Sequence, residues 1–426
     1  MKLTRRTLLG TMGAAAAASA LPFKAMAATQ SIRHFWWGNP TRDERTFKVI
    51  EMFQGSHPDI AVQGETIGWG DYWTKMATQT AGGNMADVIQ MAHTYIHEYV
   101  QRGGVVPLND YIGNGIDLSH YDAGANDIGT MGGDLYGINI GATCPSIPYN
   151  KRVFEEAGVE FDPLAWTTDD FAAACEKITS STGGAVTGSE DMSLYMETFE
   201  IFCRQAGVDF YSEDGELTMT VEQVAAWWQM WKDLRDAGVV EGKDATVQLD
   251  KGMADLGLIR GTTATTFRWA NQTGALQGLM QDPLGLAIVP QRAGLQSGHF
   301  VLPSMFLCLT RDAGDIPAAL AYIDNWVNDE ETIKVLGIDR GIPPSQKGRD
   351  ILAPQLNETD AMVVTFFGET QSQILSTPVI GPKGSGEVRD SFMRTGTEVV
   401  LGNMSPQDAA DQFIHDAEGI LIRASR

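Results

Sequence analysis

What most constrains this chain is a regular alternation of strand and helix patterns that begins at Ile32. A β-type run over 32–37, ending in Phe35-Trp36-Trp37, is stopped by Gly38-Asn39-Pro40. A helical pattern over 42–53 follows, with Phe47, Ile50 and Phe53 on one face and Gly55 and Pro58 beyond it. Thr41 is the expected cap, and Asp43 and Glu44 suit the positive first turn. A second strand, 60–67, leads through Gly68-Trp69-Gly70-Asp71 into a helix over 72–80 that Asp71 is expected to cap. A third, 87–91, leads into a helix over 93–100. Such units build a mostly parallel sheet with helices on its faces, an α/β fold. Ligands of α/β sheets bind just outside the carboxyl ends of the strands. Those ends carry Trp37, Asn39 and Arg42, then Trp69 and Asp71, then His93 and Tyr95. Successive strand side chains point to opposite faces, so Trp37 is assigned to a ligand and Trp36 to the core.

The middle of the chain is mainly helical. Val224, Trp227, Trp228, Trp231 and Leu234 recur at helical spacing over 221–237 and read as core. Thr167 or Thr168 is the expected cap of the helix that follows. Strands are expected at 284–289 and 301–309, helices at 316–327 and 330–336, and mostly helix over 346–426. A chain of 426 residues exceeds one ordinary core and implies two domains.

Residues 1–27 read as an export signal. Arg5-Arg6 resemble a twin-arginine motif, an Ala-rich run follows, and Ala25-Met26-Ala27 is an A-x-A cleavage pattern. The expected destination is the periplasm, with cleavage near Ala27. The formal charge is −23, and it becomes −27 without the four basic residues of that segment. Such a balance disfavours nucleic acid and anionic membrane surfaces. Four cysteines, Cys144, Cys175, Cys203 and Cys308, lie outside any CxxC, and Cys175 with Cys203 is the pair expected to bridge if any does.

An ordered set of motifs carries a family resemblance: Phe35-Trp36-Trp37-Gly38, Ala86-Asp87-Val88-Ile89, Val106-Pro107-Leu108-Asn109-Asp110-Tyr111-Ile112, Tyr136-Gly137-Ile138, Pro148-Tyr149-Asn150-Lys151, Phe154-Glu155-Glu156-Ala157-Gly158-Val159 with Trp166-Thr167, and Arg340-Gly341-Ile342-Pro343. The chain resembles the solute-binding proteins of carbohydrate ABC importers, the group that includes maltose-binding protein. The resemblance implies a type II-like two-lobe periplasmic binding fold with central sheets, flanking helices and a hinge of several crossings. Those crossings fall near 141–146, 289–300 and 343–349, giving lobe 1 as 28–142 with 299–344 and lobe 2 as 143–298 with 345–426. It implies a monomer that captures a sugar or oligosaccharide and docks on membrane permease subunits.

A sugar needs aromatic area for its C–H faces and polar groups for its hydroxyls. To the lobe 1 candidates this adds Glu190, with Asp191 beside it, and Arg268, Trp269 and Asn271 from lobe 2, and His299 and Arg340 near the hinge. Convergence of Arg42, Arg268 and Arg340 would favour an acidic or sulfonated sugar. No catalytic residue, cofactor or metal is assigned, since no GxSxG, HExxH, P-loop or GxGxxG occurs. Three alternatives stay open: the same fold with a polyol, polyamine or other solute, a glycosidase using paired carboxylates, and a metal held by His93 and His97 at i, i+4.

Overall fold

The computed structural model describes residues 30–248, 251–374 and 377–425. The export signal therefore lies outside the described residues. The amino-terminal units form as the periodicity requires: β1 (Gln30–Trp37), α1 (Pro40–Ser56), β2 (Ile60–Ile67), α2 (Trp69–Gly82), β3 (Val88–Met91) and α3 (His93–Gln101). Two helix starts differ from expectation. Asn39, not Thr41, caps α1, because its side chain accepts from the Arg42 amide while Pro40 takes the first helical position, where no N–H is needed. The α2 helix begins at Trp69 behind Gly68, so Asp71 stands in the first turn instead of capping it. The inward face of α1 is Arg42, Thr46, Val49, Ile50 and Phe53, and Phe47 is exposed.

Further along come β4 (Ile138–Asn139), β5 (Ala142–Thr143), β6 (Pro145–Asn150), α4 (Thr168–Ser181), α5 (Met196–Gln205) and α6 (Val221–Asp236). They are followed by β7 (Arg268–Trp269), β8 (Leu284–Ala287), β9 (Leu302–Pro303), β10 (Phe306–Leu309), α7 (Ile316–Asn328), α8 (Glu330–Leu336), α9 (Ser385–Leu401) and α10 (Pro406–Ala424). Thr167 closes a full capping box on α4. Proline at 303 and the turn at Ser304 split the expected 301–309 strand into β9 and β10.

Two lobes result. The first is built on a five-stranded sheet in the order β2-β1-β3-β10-β4, with β1 parallel to β2 and β3 and β10 antiparallel to its neighbours. Helices α1, α7 and α8 pack on one face around Val49, Phe53, Tyr322 and Trp326. The second has a smaller sheet, β8-β6-β7, inside a helical shell. Its core gathers Trp227, Trp228 and Trp231 of α6 with Phe199, Phe392 and Phe413. Between the sheets, Ala142 pairs with Pro303 and also bridges Ile342. All four cysteines are buried free thiols. The expected Cys175–Cys203 bridge is therefore absent: Cys175 is packed under Gly188, whereas Cys203 lies in the field of Arg292 and Glu200.

Candidate functional site

Because β1, β2 and β3 run parallel, their carboxyl ends share one edge, and the three following loops meet there. Trp37 ends β1 opposite Ile67 of β2. Its ring meets Trp69 edge-on at 5.0 Å and Trp73 at 5.7 Å. Trp73 in turn stacks on Tyr95 at 3.8 Å with 25° between planes. Trp37 is almost wholly covered, whereas Trp69 is 38% exposed and forms the outer end of this four-ring wall. Trp36 points the other way into the core, its indole donating to Asp43 Oδ1 at 2.8 Å.

The second lobe presents Trp269 at the end of β7. Its ring meets His93 edge-on at 6.1 Å and also touches Phe267 and Phe300. Beside it, Arg268 donates to Tyr195 OH at 3.0 Å and lies 3.8 Å from Glu190 Oε2. Glu197 of α5 pairs with Arg389 of α9 at 3.6 Å. The lobes touch where α9 reaches α3: Ser385 Oγ donates to Thr94 O at 3.3 Å, and Gly386 lies flat against the Tyr95 ring.

Beside this contact of α3 with the other lobe lies a cavity of about 50 Å³, lined by His93 and Thr94 from α3 and by Met196, Glu200, Tyr211 and Ser385 from the other lobe. Buried polar atoms are normally partnered. In this lining His93 Nδ1 and Tyr211 OH are buried without a partner, as are Glu197 Oε2 and Trp73 Nε1 outside it. Burial lowers His93 to about 4, against a weaker opposing pull from Glu197, so its imidazole is neutral at ordinary pH. Burial also raises the Glu200 carboxyl to about 7, opposed by Arg204 and reinforced by Glu197. This combination of broad rings and unsatisfied polar atoms suits a molecule with apolar faces and a hydroxyl rim.

The structure thus gathers Trp37, Trp69 and Tyr95 in one ring cluster of lobe 1 and sets His93 against Trp269, beside Arg268, of lobe 2. Other candidates are committed elsewhere. Arg42 donates to Asp339 Oδ2 at 2.8 Å and to the Asp339 carbonyl, deep in lobe 1. Arg340 donates to Gln90 Oε1 and Thr46 Oγ1 and lies over Trp326. The three arginines do not converge, which removes the motive for an acidic or sulfonated sugar. Glu190 uses both oxygens, accepting from the Gly257 amide and Thr266 Oγ1. Asp191 pairs with Arg235. Asn271 accepts from Thr143 Oγ1 and donates to Asp339 O, linking the lobes instead of facing the space. Asn39 caps its helix, and Asp71 is exposed on α2. His299 is buried with Nε2 unpartnered, packs on Phe366, and is lowered to about 4 by burial. Near His93 and His97, no group of three or more His, Cys, Asp or Glu converges among the described residues. Trp73, Tyr195, Glu197, Glu200 and Tyr211 escaped the sequence reading. Only Trp73, one turn beyond Trp69 on the same helix, carried a local signal.

The sequence profile of the bacterial extracellular solute-binding proteins matches residues 48–361. A binding protein of Brucella abortus is 24% identical over 198 residues, 46% of this chain and 47% of that protein, so the match spans just under half of that relative's length. An arabinooligosaccharide-binding protein of Halalkalibacterium halodurans is 29% identical over 133 residues, 30% of this chain and 28% of that one. Among solved structures, a periplasmic oligogalacturonide-binding protein from Yersinia enterocolitica with saturated digalacturonic acid superposes with a TM-score of 0.82 at 23% identity, over 93% of this chain and all of that one. A second structure of an oligogalacturonide-binding protein from the same organism gives 0.68 over the same share.

Proposed function

The chain belongs to the bacterial extracellular solute-binding proteins, and from that premise we propose that it captures a sugar or oligosaccharide between its lobes and delivers it to the permease subunits of an ABC importer. The observation that carries this reading is the ring cluster of Trp37, Trp69, Trp73 and Tyr95 in lobe 1, with Trp269 of lobe 2 against His93, beside a cavity in which His93 Nδ1 and Tyr211 OH lack partners. Flat rings offer large rigid area to a sugar face at low entropy cost, and each orphaned atom gains a hydrogen bond when a hydroxyl arrives. The names of the Halalkalibacterium and Yersinia relatives, both oligosaccharide binders, support the same substrate class.

Lobe 1 comprises 28–142 with 299–344 and lobe 2 comprises 143–298 with 345–426 in this reading. The assignment is supported by the membership of the two sheets and by the pairing of Ala142 with both Pro303 and Ile342. Ligand that touches both walls favours the closed arrangement by its differential affinity. The protein acts as an exported periplasmic monomer, with its signal cut near Ala27, and it binds without turnover. No helix among the described residues is long and apolar enough to cross a membrane.

A thermal-shift screen across neutral mono- and oligosaccharides, sugar acids, polyols and polyamines tests the proposal. A ligand at a hundredfold its Kd stabilises the native state by about 2.7 kcal/mol, which is readily seen in such a screen. Stabilisation by a polyol or polyamine and by no saccharide refutes the substrate class, and consumption of a saccharide refutes the transport role.

A further inference from the structure

The cavity beside His93 is lined by few atoms that can meet a charge, and its lining points to what the ligand carries there. We infer that it receives an uncharged hydroxymethyl-type group of the saccharide and excludes a carboxylate at that position. This rests on the capture reading above and narrows it to neutral sugars.

Three observations carry the inference. First comes size. At about 50 Å³ the cavity holds a few waters, since roughly 10–15 Å³ of such space admits one, and it therefore accepts a small group of a few non-hydrogen atoms. Second is the state of its polar atoms. Tyr211 is only 4% exposed and its hydroxyl has no partner, nor has His93 Nδ1 on the opposite wall. A phenol and a neutral imidazole can each donate or accept, which matches a hydroxyl that does both. Third is charge. No lysine or arginine lines the cavity, while the Glu200 carboxyl does. The surrounding guanidiniums are engaged: Arg389 with Glu197, Arg204 with Asp209, and Arg268 with Tyr195. A ligand carboxylate would enter beside the Glu200 carboxyl and would meet no lining cation to replace its lost water. The apolar share of the lining, Met196, Phe210, Leu302 and Val379, suits the methylene of a hydroxymethyl group.

The test compares sugars that differ only at this group, with affinities read by titration calorimetry or tryptophan fluorescence. Gluco- and xylo-disaccharides differ by the hydroxymethyl, and galactobiose and digalacturonic acid differ by its oxidation to a carboxylate. The expected result is at least tenfold tighter binding of the neutral hexose member in each pair. Tyr211→Phe, which keeps the ring in the core, should weaken binding of the hexose sugar about five- to twentyfold and leave the xylose sugar unchanged. Tighter binding of digalacturonic acid, or equal losses for both sugars in the variant, overturns this inference and leaves saccharide capture standing. If no saccharide of any kind binds, the capture reading falls and this inference falls with it.

Discussion

Replacing Glu200 by glutamine should stabilise the ligand-free protein, and it should do so in a way that depends on pH. Burial raises this carboxyl from 4.5 to about 7, with Arg204 opposing the shift and Glu197 adding to it. Below 4.5 the side chain is protonated in both the folded and the unfolded chain and contributes nothing. Between the two values the folded protein keeps a proton that the unfolded chain has released, so stability falls as pH rises. Above 7 both are ionised and the penalty is complete. A gap of about 2.5 in pH corresponds to about 3 kcal/mol, of which only about 1 kcal/mol has developed at pH 5. Glutamine has nearly the shape of the protonated acid and does not ionise, so Glu200→Gln removes the penalty. With an unfolding entropy of about 2.1 cal/mol/K per residue over roughly 400 residues, the gain in Tm is about 4 °C at pH 8 and about 1 °C at pH 5. Calorimetry of both proteins at the two pH values measures it. A Tm difference that is the same at both pH values, or a loss at pH 8, refutes the reasoning.

Three further outcomes follow from the geometry. Trp269→Ala should weaken saccharide binding at least tenfold, about 1.4 kcal/mol, while the apo Tm changes little, because the ring is partly exposed between the lobes. Gly386→Val should impede closure, since a Cβ there would stand 2.6 Å from Tyr95 Cε1; small-angle scattering should then show no compaction at ligand concentrations that compact the wild type. Arg42→Ala should destabilise lobe 1 by a few kcal/mol, at most about 3–5, read by urea denaturation, because it removes the hydrogen-bonded partner of the buried Asp339 carboxylate and leaves only Arg340 at 3.9 Å.

Local periodicity was enough for the amino-terminal lobe. The bounds of β2 and α8 fall where the pattern puts them, because alternation in a half-buried strand and capping by Asp329 are both written in adjacent residues. Asp71 and Thr41 were misread because several polar residues in a row can each cap a helix. The choice between them depends on where Pro40 and Gly68 allow the first turn to begin. The free thiols have a similar cause: Cys175 and Cys203 share a lobe, but helix rotation decides which neighbours a thiol meets, and sequence spacing does not report it.

The site divides along the same line. Trp37, Trp69 and His93 stand at one sheet edge, as their places in the sequence lead one to expect, because each ends or follows a strand of one parallel sheet and topology alone brings those ends together. Arg42 and Arg340 have the same residue type and neighbourhood as true ligand contacts, yet each is used inside lobe 1, where a buried carboxylate or amide must be satisfied. Charge at a strand end is therefore weaker evidence for binding than an exposed ring, since an arginine can be required by the core and a 38% exposed tryptophan is not. Tyr211 and Glu200 reach the cavity, and Glu197 the neighbouring Arg389, from segments more than a hundred residues beyond His93, and no local pattern distinguishes them from ordinary helix and turn residues. Their common property is electrostatic. Each is a polar group placed in a poorly solvated space, and two of them have an atom left without a partner. That property arises only when distant segments of the chain pack together, so the part of the site proposed to select among sugars is the part that only the folded chain contains.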